Sequence, residues 1–351
     1  MRIAVIAITG NGARIGAKLL EGLPGAELFV PPKCSESAGC PATVFSEELK
    51  ALLGRLWQEA EGVICIMASG IVVRLVAPLL QGKERDPGVV VMDDAGKFAI
   101  SLLSGHLGGA NELAKKCSLF TGATPVITTA TDVHGIPSFD MLAKEEGWVI
   151  DDLSRIKILN TLLLEDAEIA VVDPTGLVEQ YFSGRGRLSF NSDFISALQS
   201  GAKGFLFVTN RILPPPLQSS ALLLLRPRNL TVGIGCNSGT PADEIEEVVC
   251  SNLKRLFLSI KSVRSIATAV AKKEEPGLLD FAGKYSFPIL FYESSELNAV
   301  QTPTLPSRHA MKAIGAAGVA EPAALLSAKG GKLLLQKVKS GNVTVAIAEA
   351  C

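Results

Sequence analysis

Side chains suited to proton transfer are concentrated in residues 104–134 of this 351-residue chain. The segment begins Ser104-Gly105-His106-Leu107-Gly108-Gly109-Ala110-Asn111, which combines a hydroxyl, an imidazole, a carboxamide and several glycines. An imidazole titrates near neutral pH, so His106 is a candidate general acid or base. Glycines weaken the start of a helix, and their number here indicates a close approach of backbone and ligand. The alternative is that His106 is an incidental loop histidine.

A second polar run reads Thr128-Thr129-Ala130-Thr131-Asp132-Val133-His134-Gly135 and follows the next predicted strand. Its hydroxyls, its carboxylate and its imidazole would emerge at the same sheet edge as His106 if the two preceding strands are neighbours. Asp132 is suited either to orient a histidine or to act as a base. The structural alternative is an Asx-type turn that caps the helix after Pro137.

A glycine-rich turn also follows the first predicted strand, with the pattern Gly10-x-Gly12-x-x-x-Gly16. Such turns let backbone amides approach a phosphate. The next strand lacks the terminal Asp or Glu that binds a ribose in dinucleotide folds, so tight helix–strand packing is the favoured interpretation. Arg14, in the same turn, is a candidate partner for a substrate carboxylate.

A third junction, Ala68-Ser69-Gly70-Ile71-Val72-Val73-Arg74, lies where open α/β sheets bind ligands, at the carboxyl end of a predicted strand. Ser69, Gly70 and Arg74 are therefore candidate binding residues. Arg74 is suited to bidentate binding of a carboxylate, and a solvated helix arginine is the equal alternative. A similar turn, residues 233–240, contains Cys236, which lacks an evident base partner for covalent catalysis.

The hydrophobic pattern predicts an α/β fold in several domains. Predicted strands at 2–8, 27–30, 62–67, 89–92, 97–103 and 124–129 alternate with helices, which indicates a mostly parallel sheet covered on both faces. Asp93-Asp94-Ala95-Gly96 predicts a hairpin turn within it. In residues 147–228 the pattern changes to a helix and isolated apolar strands, with a stiff Pro214-Pro215-Pro216 connector. We predict an N-terminal α/β domain (1–146), a small α+β middle region (147–228) and a second α/β domain (229–351).

Composition restricts the function classes. The net charge of -1 leaves no excess of cations for a phosphate backbone, so we expect no nucleic-acid partner. The apolar runs are too short to span a bilayer, and the N-terminal residues lead directly into a strand, so we expect no membrane partner and a cytoplasmic protein. The seven cysteines are scattered without metal-ligand spacing, so no protein-held metal is expected and Cys65 and Cys117 are interpreted as small buried hydrophobes.

These motifs together resemble the CbiG family of cobalamin biosynthesis. The N-terminal part of the resemblance rests on MASGIVVRLVAPLL, DPGVVVMDDAGKFAISLLSGHLGGANELA and PVITTATDVHG. The C-terminal part rests on LTVGIGCNSGT, AKKEEPGLLDFA and VAEPAALLSAKGGKLLLQKVKSGNVTVAIAEA, and it also resembles the stand-alone protein CobE. The resemblance covers essentially the full length, and the SGHLGGAN and ITTATD pair is its most specific element.

The resemblance implies a cobalt-precorrin-5A hydrolase, which opens the δ-lactone of a ring-contracted cobalt corrinoid and releases acetaldehyde to give cobalt-precorrin-5B. No cofactor is implied, because the cobalt is carried by the substrate. In this interpretation His106 is the general base, Asp132 orients it or shares its proton, and Ser104 helps to stabilise the opening carboxyl group. The remaining positions would bind the carboxylate arms of the substrate. They are Arg14, Ser69, Gly70, Arg74, Lys97, Gly105, Gly108, Asn111, Thr129 and His134.

Two other functions remain open from the sequence. The chain is alternatively a non-catalytic carrier of corrinoid intermediates, and acetaldehyde formation would separate the two. A nucleotide-dependent oxidoreductase would rest only on the glycine turn at Gly10 and Gly12. The partner expectations are the corrinoid itself, transient contact with the methyltransferases of the pathway, and a homodimeric state.

Overall fold

A computed structural model describes residues 2–82, 85–133, 135–214 and 219–350. The chain forms two compact units, residues 1–141 and residues 142–351. The predicted α/β class is confirmed, because the first unit contains a mostly parallel seven-stranded sheet and the second contains two further α/β sheets. The predicted domain boundaries stay predictions. His134 and the last two residues of the proline run, Pro215 and Pro216, lie outside the described residues.

The first unit is built on one sheet with the strand order β3-β2-β1-β4-β5-β6-β7. The strands are β1 (Ile3–Ala7), β2 (Ala26–Val30), β3 (Thr43–Val44), β4 (Gly62–Ile66), β5 (Gly88–Met92), β6 (Phe98–Leu103) and β7 (Thr124–Val126). β1, β4 and β5 are buried along their whole length, as expected for strands with helices on both faces. The predicted hairpin is confirmed, since β6 pairs antiparallel with β5.

Helices cover both faces of this sheet. They are α1 (Gly10–Gly22), α2 (Ser35–Ala38), α3 (Leu49–Glu59), α4 (Ser69–Val76) and α5 (Ala110–Thr121). Two short helices, α6 (Ala130–Val133) and α7 (Phe139–Glu145), follow β7. In α3 the residues at helical spacing, Leu52, Leu53, Leu56 and Trp57, form the buried stripe that packs on the sheet. α5 begins at Ala110, because Gly109 has a positive φ of 81° and ends the preceding loop.

The hairpin divides the polar strand ends between two edges of the sheet. β1 to β5 are all parallel, and their carboxyl ends define what we call the forward edge. β6 and β7 are parallel to each other but run opposite to β5, so their carboxyl ends lie at the other edge, the return edge. A five-residue strand such as β5 separates the two edges by roughly 15 Å.

The first sheet of the second unit has the strand order β10-β9-β11-β12-β8. Its strands are β8 (Val149–Ile150), β9 (Ile169–Val172), β10 (Leu188–Phe190), β11 (Gly204–Val208) and β12 (Leu222–Arg226), with helices α8 (Ser154–Leu164), α9 (Leu177–Phe182) and α10 (Phe194–Gln199). The strands that the sequence predicted as isolated therefore pair in one sheet. The hydrophobic pattern did not predict β8, β10, α9 and α10. All four are shorter than seven residues, so each shows too few residues for a clear periodicity.

The second sheet of this unit has the order β15-β14-β13-β17-β16. Its strands are β13 (Leu230–Cys236), β14 (Val263–Ala269), β15 (Ile289–Tyr292), β16 (Lys332–Ser340) and β17 (Val343–Glu349). Helices α11 (Ala242–Arg255) and α12 (Pro276–Tyr285) pack on one face, while α13 (Ser294–Asn298), α14 (Arg308–Ile314) and α15 (Ala320–Ser327) belong to the other. Gly233 permits the close approach of α15, because an added Cβ would lie 1.8 Å from the Ala320 carbonyl oxygen.

Candidate functional site

The return edge of the first sheet brings together the two polar runs of residues 104–134. β6 and β7 are hydrogen-bonded neighbours, so the chain that follows Leu103 and the chain that follows Val126 leave the sheet side by side. This confirms the condition under which His106 and Asp132 were expected to meet. The Nε2 atom of His106 lies 3.0 Å from Oδ2 of Asp132.

His106 lies between two carboxylates. Its second ring nitrogen, Nδ1, lies 3.2 Å from Oδ2 of Asp140, in the first turn of α7. The Asp140 side chain is only 6% exposed, whereas that of Asp132 is 25% exposed. The arrangement is therefore an aspartate–histidine–aspartate series that runs from a buried carboxylate to one that solvent reaches.

The surroundings of His106 favour its charged form. The hydrogen bond to Asp140 is the largest cause that raises the pKa of the imidazole above its ordinary value, and the bond to Asp132 and the charges of both carboxylates add to it. Burial acts in the opposite direction and is outweighed. A buried carboxylate such as Asp140 is costly unless it is paired, which the imidazolium provides. A charged imidazole can donate a proton and a carboxylate can accept one, so the cluster combines groups suited to acid–base chemistry.

Asn111 holds the second carboxylate in place. Its side-chain amide donates to Oδ2 of Asp132 at 2.9 Å and to the Thr129 hydroxyl at 3.0 Å. Its side-chain carbonyl accepts from the Ser101 hydroxyl at 2.6 Å, and the residue is 5% exposed. Both predicted binding residues, Asn111 and Thr129, thus have partners within the protein. We interpret Asn111 as a positioning residue that joins β6, α5 and the chain after β7.

The glycines of the loop before α5 have reasons within the protein. An added Cβ on Gly105 would lie 2.6 Å from Oδ1 of Asn111, and one on Gly108 would lie 2.3 Å from the Ser104 Cβ. On the neighbouring strand, a Cβ on Gly88 would lie 2.4 Å from the Gly108 carbonyl oxygen. Packing against Asn111 and Ser104 therefore accounts for Gly105 and Gly108, and packing of the loop on β5 accounts for Gly88. The predicted ligand contact of Gly105 and Gly108 stays a prediction.

Ser104 has a strained backbone. Its φ of 54° is in the left-handed region, which is uncommon for a residue other than glycine, and its carbonyl oxygen accepts from Ala110 N at 3.1 Å. Strain of this kind persists where the surrounding structure imposes it and is concentrated at functional sites. Ser104 is thus a strained residue at the start of the loop that carries His106.

One cation of the return edge was missed by the sequence analysis. Lys115 is one helical turn beyond Asn111 on α5, and its Nζ lies 3.9 Å from Oδ1 of Asp132. The Lys115 side chain is 52% exposed, so it is available to a carboxylate in solvent. Asn111 and Lys115 are four residues apart on one helix and therefore share a face, which is the sequence pattern that indicates Lys115.

Asp140 is the second residue of the cluster that was not predicted from the sequence. The sequence predicted a helix after Pro137 but did not connect its first-turn carboxylate to His106. The only available signal was an acidic residue at a helix start close to a histidine-bearing loop, and that pattern is usually explained by the helix dipole.

The remaining predicted binding residues lie at the forward edge, on the other side of the sheet from His106. They are Arg14 on α1, Ser69, Gly70 and Arg74 on α4, and Lys97 at the start of β6. The Arg14 guanidinium donates to Asn11 Oδ1 at 2.5 Å, and the Arg74 guanidinium donates to the Gly70 carbonyl at 2.8 Å. The structure therefore brings none of these residues to the His106 cluster.

The start of α1 disfavours the phosphate-binding interpretation. Thr9 caps the helix by accepting from Gly12 N at 3.0 Å, and its hydroxyl bonds to the carboxylate of Asp94 from the hairpin turn. This carboxylate places a negative charge beside the start of α1, where it would repel a phosphate. Gly16 is explained by packing, because an added Cβ would lie 2.5 Å from a methyl carbon of Leu28.

Burial affects several of the described cysteines. Burial raises the pKa of the Cys65 and Cys117 thiols to about 12, which agrees with their interpretation as small buried hydrophobes. Burial also raises the pKa of Cys236, so its thiolate is disfavoured. Within the described residues, no group of three or more His, Cys, Asp or Glu could hold a metal ion. Over the same part of the chain, every helix is too short or too polar to cross a membrane.

Family models match three consecutive segments of the chain. They are described as Cobalamin synthesis G N-terminal (residues 51–132), Cobalamin biosynthesis central region (137–227) and Cobalamin synthesis G C-terminus (230–348). The N-terminal match includes His106, Asn111 and Asp132.

Curated proteins are similar over nearly the whole chain. A cobalt-precorrin-5A hydrolase of Priestia megaterium is 37% identical, covering 98% of this chain and 94% of its own. One of Salmonella typhimurium is 29% identical, covering 99% and 97%. Protein CobE of a Sinorhizobium species is 32% identical over 136 residues, which are 38% of this chain and 88% of its own. The prediction of an enzyme of the hydrolase class is confirmed, and the chain belongs to the CbiG family of cobalamin synthesis proteins.

Proposed function

We propose that this chain is a cobalt-precorrin-5A hydrolase that opens the δ-lactone of a ring-contracted cobalt corrinoid and releases acetaldehyde, giving cobalt-precorrin-5B. The names of the full-length relatives support the substrate. The observation that carries the chemistry is the placement of His106 between Asp132 and Asp140, because it provides an acid and a base at one point of the return edge.

The first step adds water to the lactone carbonyl. Oδ2 of Asp132 is held by His106 and Asn111, and Oδ1 lies 3.9 Å from Lys115 Nζ. The side chain is 25% exposed, so we assign to Oδ1 the proton that water loses. The ring oxygen of the lactone leaves as an alkoxide and takes a proton from His106 Nε2. One water is consumed, and the products are an alcohol and a carboxylic acid, which loses its proton to solvent and becomes a carboxylate. Lys115 is placed to bind the new carboxylate.

The second step breaks a carbon–carbon bond in the retro-aldol sense. The alcohol hydroxyl loses its proton, its oxygen becomes the carbonyl oxygen of acetaldehyde, and the electron pair of the broken bond passes to the macrocycle. Between the two steps Asp132 releases its proton to solvent and His106 regains one, so the pair returns to its starting state. Asp132 then serves as the base that accepts the hydroxyl proton. This assignment replaces His106 as the base by Asp132, with His106 as the acid and Asp140 as the group that keeps it charged.

The cobalt belongs to the substrate in this proposal, and the protein needs no cofactor of its own. The chemistry uses water, two carboxylates and an imidazole. We place the reaction in the cytoplasm, together with the other steps of the pathway.

The test is incubation of the purified chain with cobalt-precorrin-5A in water labelled with oxygen-18. We expect one labelled oxygen in the corrinoid product, because attack at the carbonyl carbon places the water oxygen in the new carboxylate, together with one acetaldehyde per turnover. Asp132→Asn should abolish both, whereas Glu112→Gln, an exposed carboxylate variant on α5, should not. Absence of acetaldehyde with the wild-type chain would contradict the proposal and favour a carrier of corrinoid intermediates.

A further inference from the structure

The C-terminal sheet carries a cavity of about 580 Å³ whose lining contains no residue of the His106 cluster. It lies at the carboxyl end of β13, between α14, the start of α15 and one face of β16 and β17. Pockets of this size are typical of sites for small organic ligands. All of its lining residues belong to the second compact unit.

Part of the cavity wall is made of small apolar residues, which leave a smooth surface. They include Ala269, Ala271, Ala310, Ala313 and Gly318. Gly235 belongs to the same wall, and the nearest atoms to an added Cβ there would be 3.5 Å away on Val319 and 3.9 Å away on Thr344. Backbone packing therefore does not require Gly235 to be a glycine, in contrast to Gly233. A methyl group at Gly235 would make ordinary van der Waals contact with these side chains, so the glycine keeps this part of the wall low.

The cavity is also lined by cations. Lys272 is paired with Glu275 at 2.9 Å, so its charge is largely compensated. The Lys337 ammonium donates to the Leu305 carbonyl at 3.0 Å, and Lys339 is exposed. Among the described residues neither Lys337 nor Lys339 has a carboxylate within ion-pair distance, and no negative side chain lines the cavity. The cavity therefore has uncompensated positive charge.

An irregularity in β16 turns these two lysines toward the cavity. Leu335 pairs with Ile347 and Val338 pairs with Val345, so β16 contains one more residue than β17 over this stretch. Leu335 and Val338 consequently both face the core under α11 and α12, and Lys337 and Lys339 face the opposite side. In a regular strand Leu335, Lys337 and Lys339 would share one face. Bulges that redirect side chains in this way are concentrated beside functional sites.

We propose that this cavity is a second binding site for the corrinoid, in which the small apolar wall contacts the macrocycle and Lys337 and Lys339 bind its peripheral carboxylates. The inference rests on the proposed function, which supplies a flat, hydrophobic ligand with carboxylate arms. It assigns to the C-terminal region a holding role that is separate from the acid–base chemistry at His106. The match of this region to most of the length of CobE agrees with a role that does not need the N-terminal sheet.

The test is a binding titration of the full chain with cobyrinic acid, a stable cobalt corrinoid with free carboxylates, followed by visible absorbance. We expect Lys339→Glu to weaken binding roughly tenfold, because an attraction becomes a repulsion. Lys312→Glu is the matched control, since Lys312 is an exposed lysine of α14 that does not line the cavity. Ala310→Trp should weaken binding by filling the cavity, whereas Met311→Trp on the same helix should not. The fully methylated ester of cobyrinic acid should bind more weakly than the free acid.

The outcomes separate this inference from the proposed function. If Lys339→Glu, Lys339→Gln and Ala310→Trp all bind cobyrinic acid with wild-type affinity, the cavity is not a corrinoid site, whatever the chain does to the lactone. If these variants bind weakly and the wild-type chain releases no acetaldehyde, the cavity site stands and the hydrolase proposal fails. His106→Gln should bind cobyrinic acid at the cavity as the wild type does. Loss of binding in that variant would overturn the separation of holding from chemistry.

Discussion

The two edges of the N-terminal sheet carry similar sequence motifs and have different structures. At the forward edge, glycine turns after β1 and β4 lead into α1 and α4, and their polar groups bond to neighbours within a few residues or to the hairpin turn. At the return edge, His106, Asp132 and Asp140 come from three separate segments and meet within hydrogen-bond distance.

The difference lies in how the polar groups are held. The Asp94 carboxylate at the forward edge accepts from the Thr9 hydroxyl, which completes a helix cap. The carboxylates at the return edge raise the pKa of an imidazole, and the Asp132 side chain remains 25% exposed. Local capping satisfies polar groups, whereas convergence of distant segments creates a perturbed titratable group. The second arrangement is the one that indicates chemistry.

The largest expected effect is the loss of turnover on replacement of the central histidine. His106→Gln keeps a polar side chain but cannot carry a proton, so acetaldehyde release should fall by roughly 10³-fold, within the range for loss of an acid–base group. The matched carboxamide variant at the forward edge, Asp94→Asn, should retain turnover within about threefold. Equal losses in the two variants would show that the edges do not differ in function.

A smaller loss with a shifted pH profile is expected for Asp140→Asn. The bond to Asp140 is the main cause of the raised pKa of His106, so the variant should have a lower imidazole pKa and turnover reduced by roughly 30-fold. The wild-type imidazolium persists above the ordinary value of about 6.5, so activity that needs it should decline only as pH rises through the raised value. In Asp140→Asn this alkaline decline should move to lower pH.

The direction in which the pH profile of Asp140→Asn moves shows whether His106 acts as an acid or as a base. If His106 instead acts as a neutral base, lowering its pKa would extend activity toward acid pH and leave the alkaline side unchanged. A profile of kcat for both proteins distinguishes the two. The same linkage applies to stability: the His106–Asp140 interaction contributes fully below about pH 6.5 and is lost as pH rises through the folded-state pKa.

Much of the N-terminal sheet could be predicted from the sequence, because buried strands such as β1, β4 and β5 are continuous apolar runs between turn signals. The hairpin that joins β5 to β6 was also predicted, from the cluster Asp93-Asp94-Ala95-Gly96. The effect of the hairpin on the position of the site residues was not predicted. It reverses the chain, so Lys97 and His106, at opposite ends of one strand, lie at opposite edges of the sheet.

The meeting of His106 and Asp132 was predictable because it needs only that consecutive strands be neighbours. The contribution of Asp140 was not, because it depends on the path of the chain between β7 and α7, which no local pattern specifies. The prediction that Gly105 and Gly108 contact a ligand stays a prediction, and packing within the protein gives a second reason for both glycines. A glycine required by packing against another strand has the same sequence signal as a glycine required by a ligand.

Removal of the connecting amide should have a moderate effect on both stability and turnover. Asn111→Ala leaves Thr129, Ser101 and Asp132 without their shared partner, so the free energy of unfolding of the first unit should fall by about 1–3 kcal/mol. Turnover should fall by roughly tenfold, because Asp132 would lose one of its two Oδ2 donors. Urea unfolding followed by Trp57 in a Trp148→Phe background reports on this unit. Asn11→Ala at the forward edge is the control and should change neither quantity appreciably.

The smallest effect is expected at the forward edge itself, and it tests the comparison most directly. Arg74→Ala removes a guanidinium that bonds to its own helix, and Lys97→Ala removes an ammonium at the end of β6 remote from His106. Both should change kcat/KM for cobalt-precorrin-5A by less than about threefold, because surface substitutions away from a site have small effects. Lys115→Ala at the return edge should instead raise KM, since its ammonium is placed for a substrate carboxylate. A loss above about tenfold in either forward-edge variant would mean that the substrate contacts both edges, and the assignment of binding to the return edge alone would be wrong.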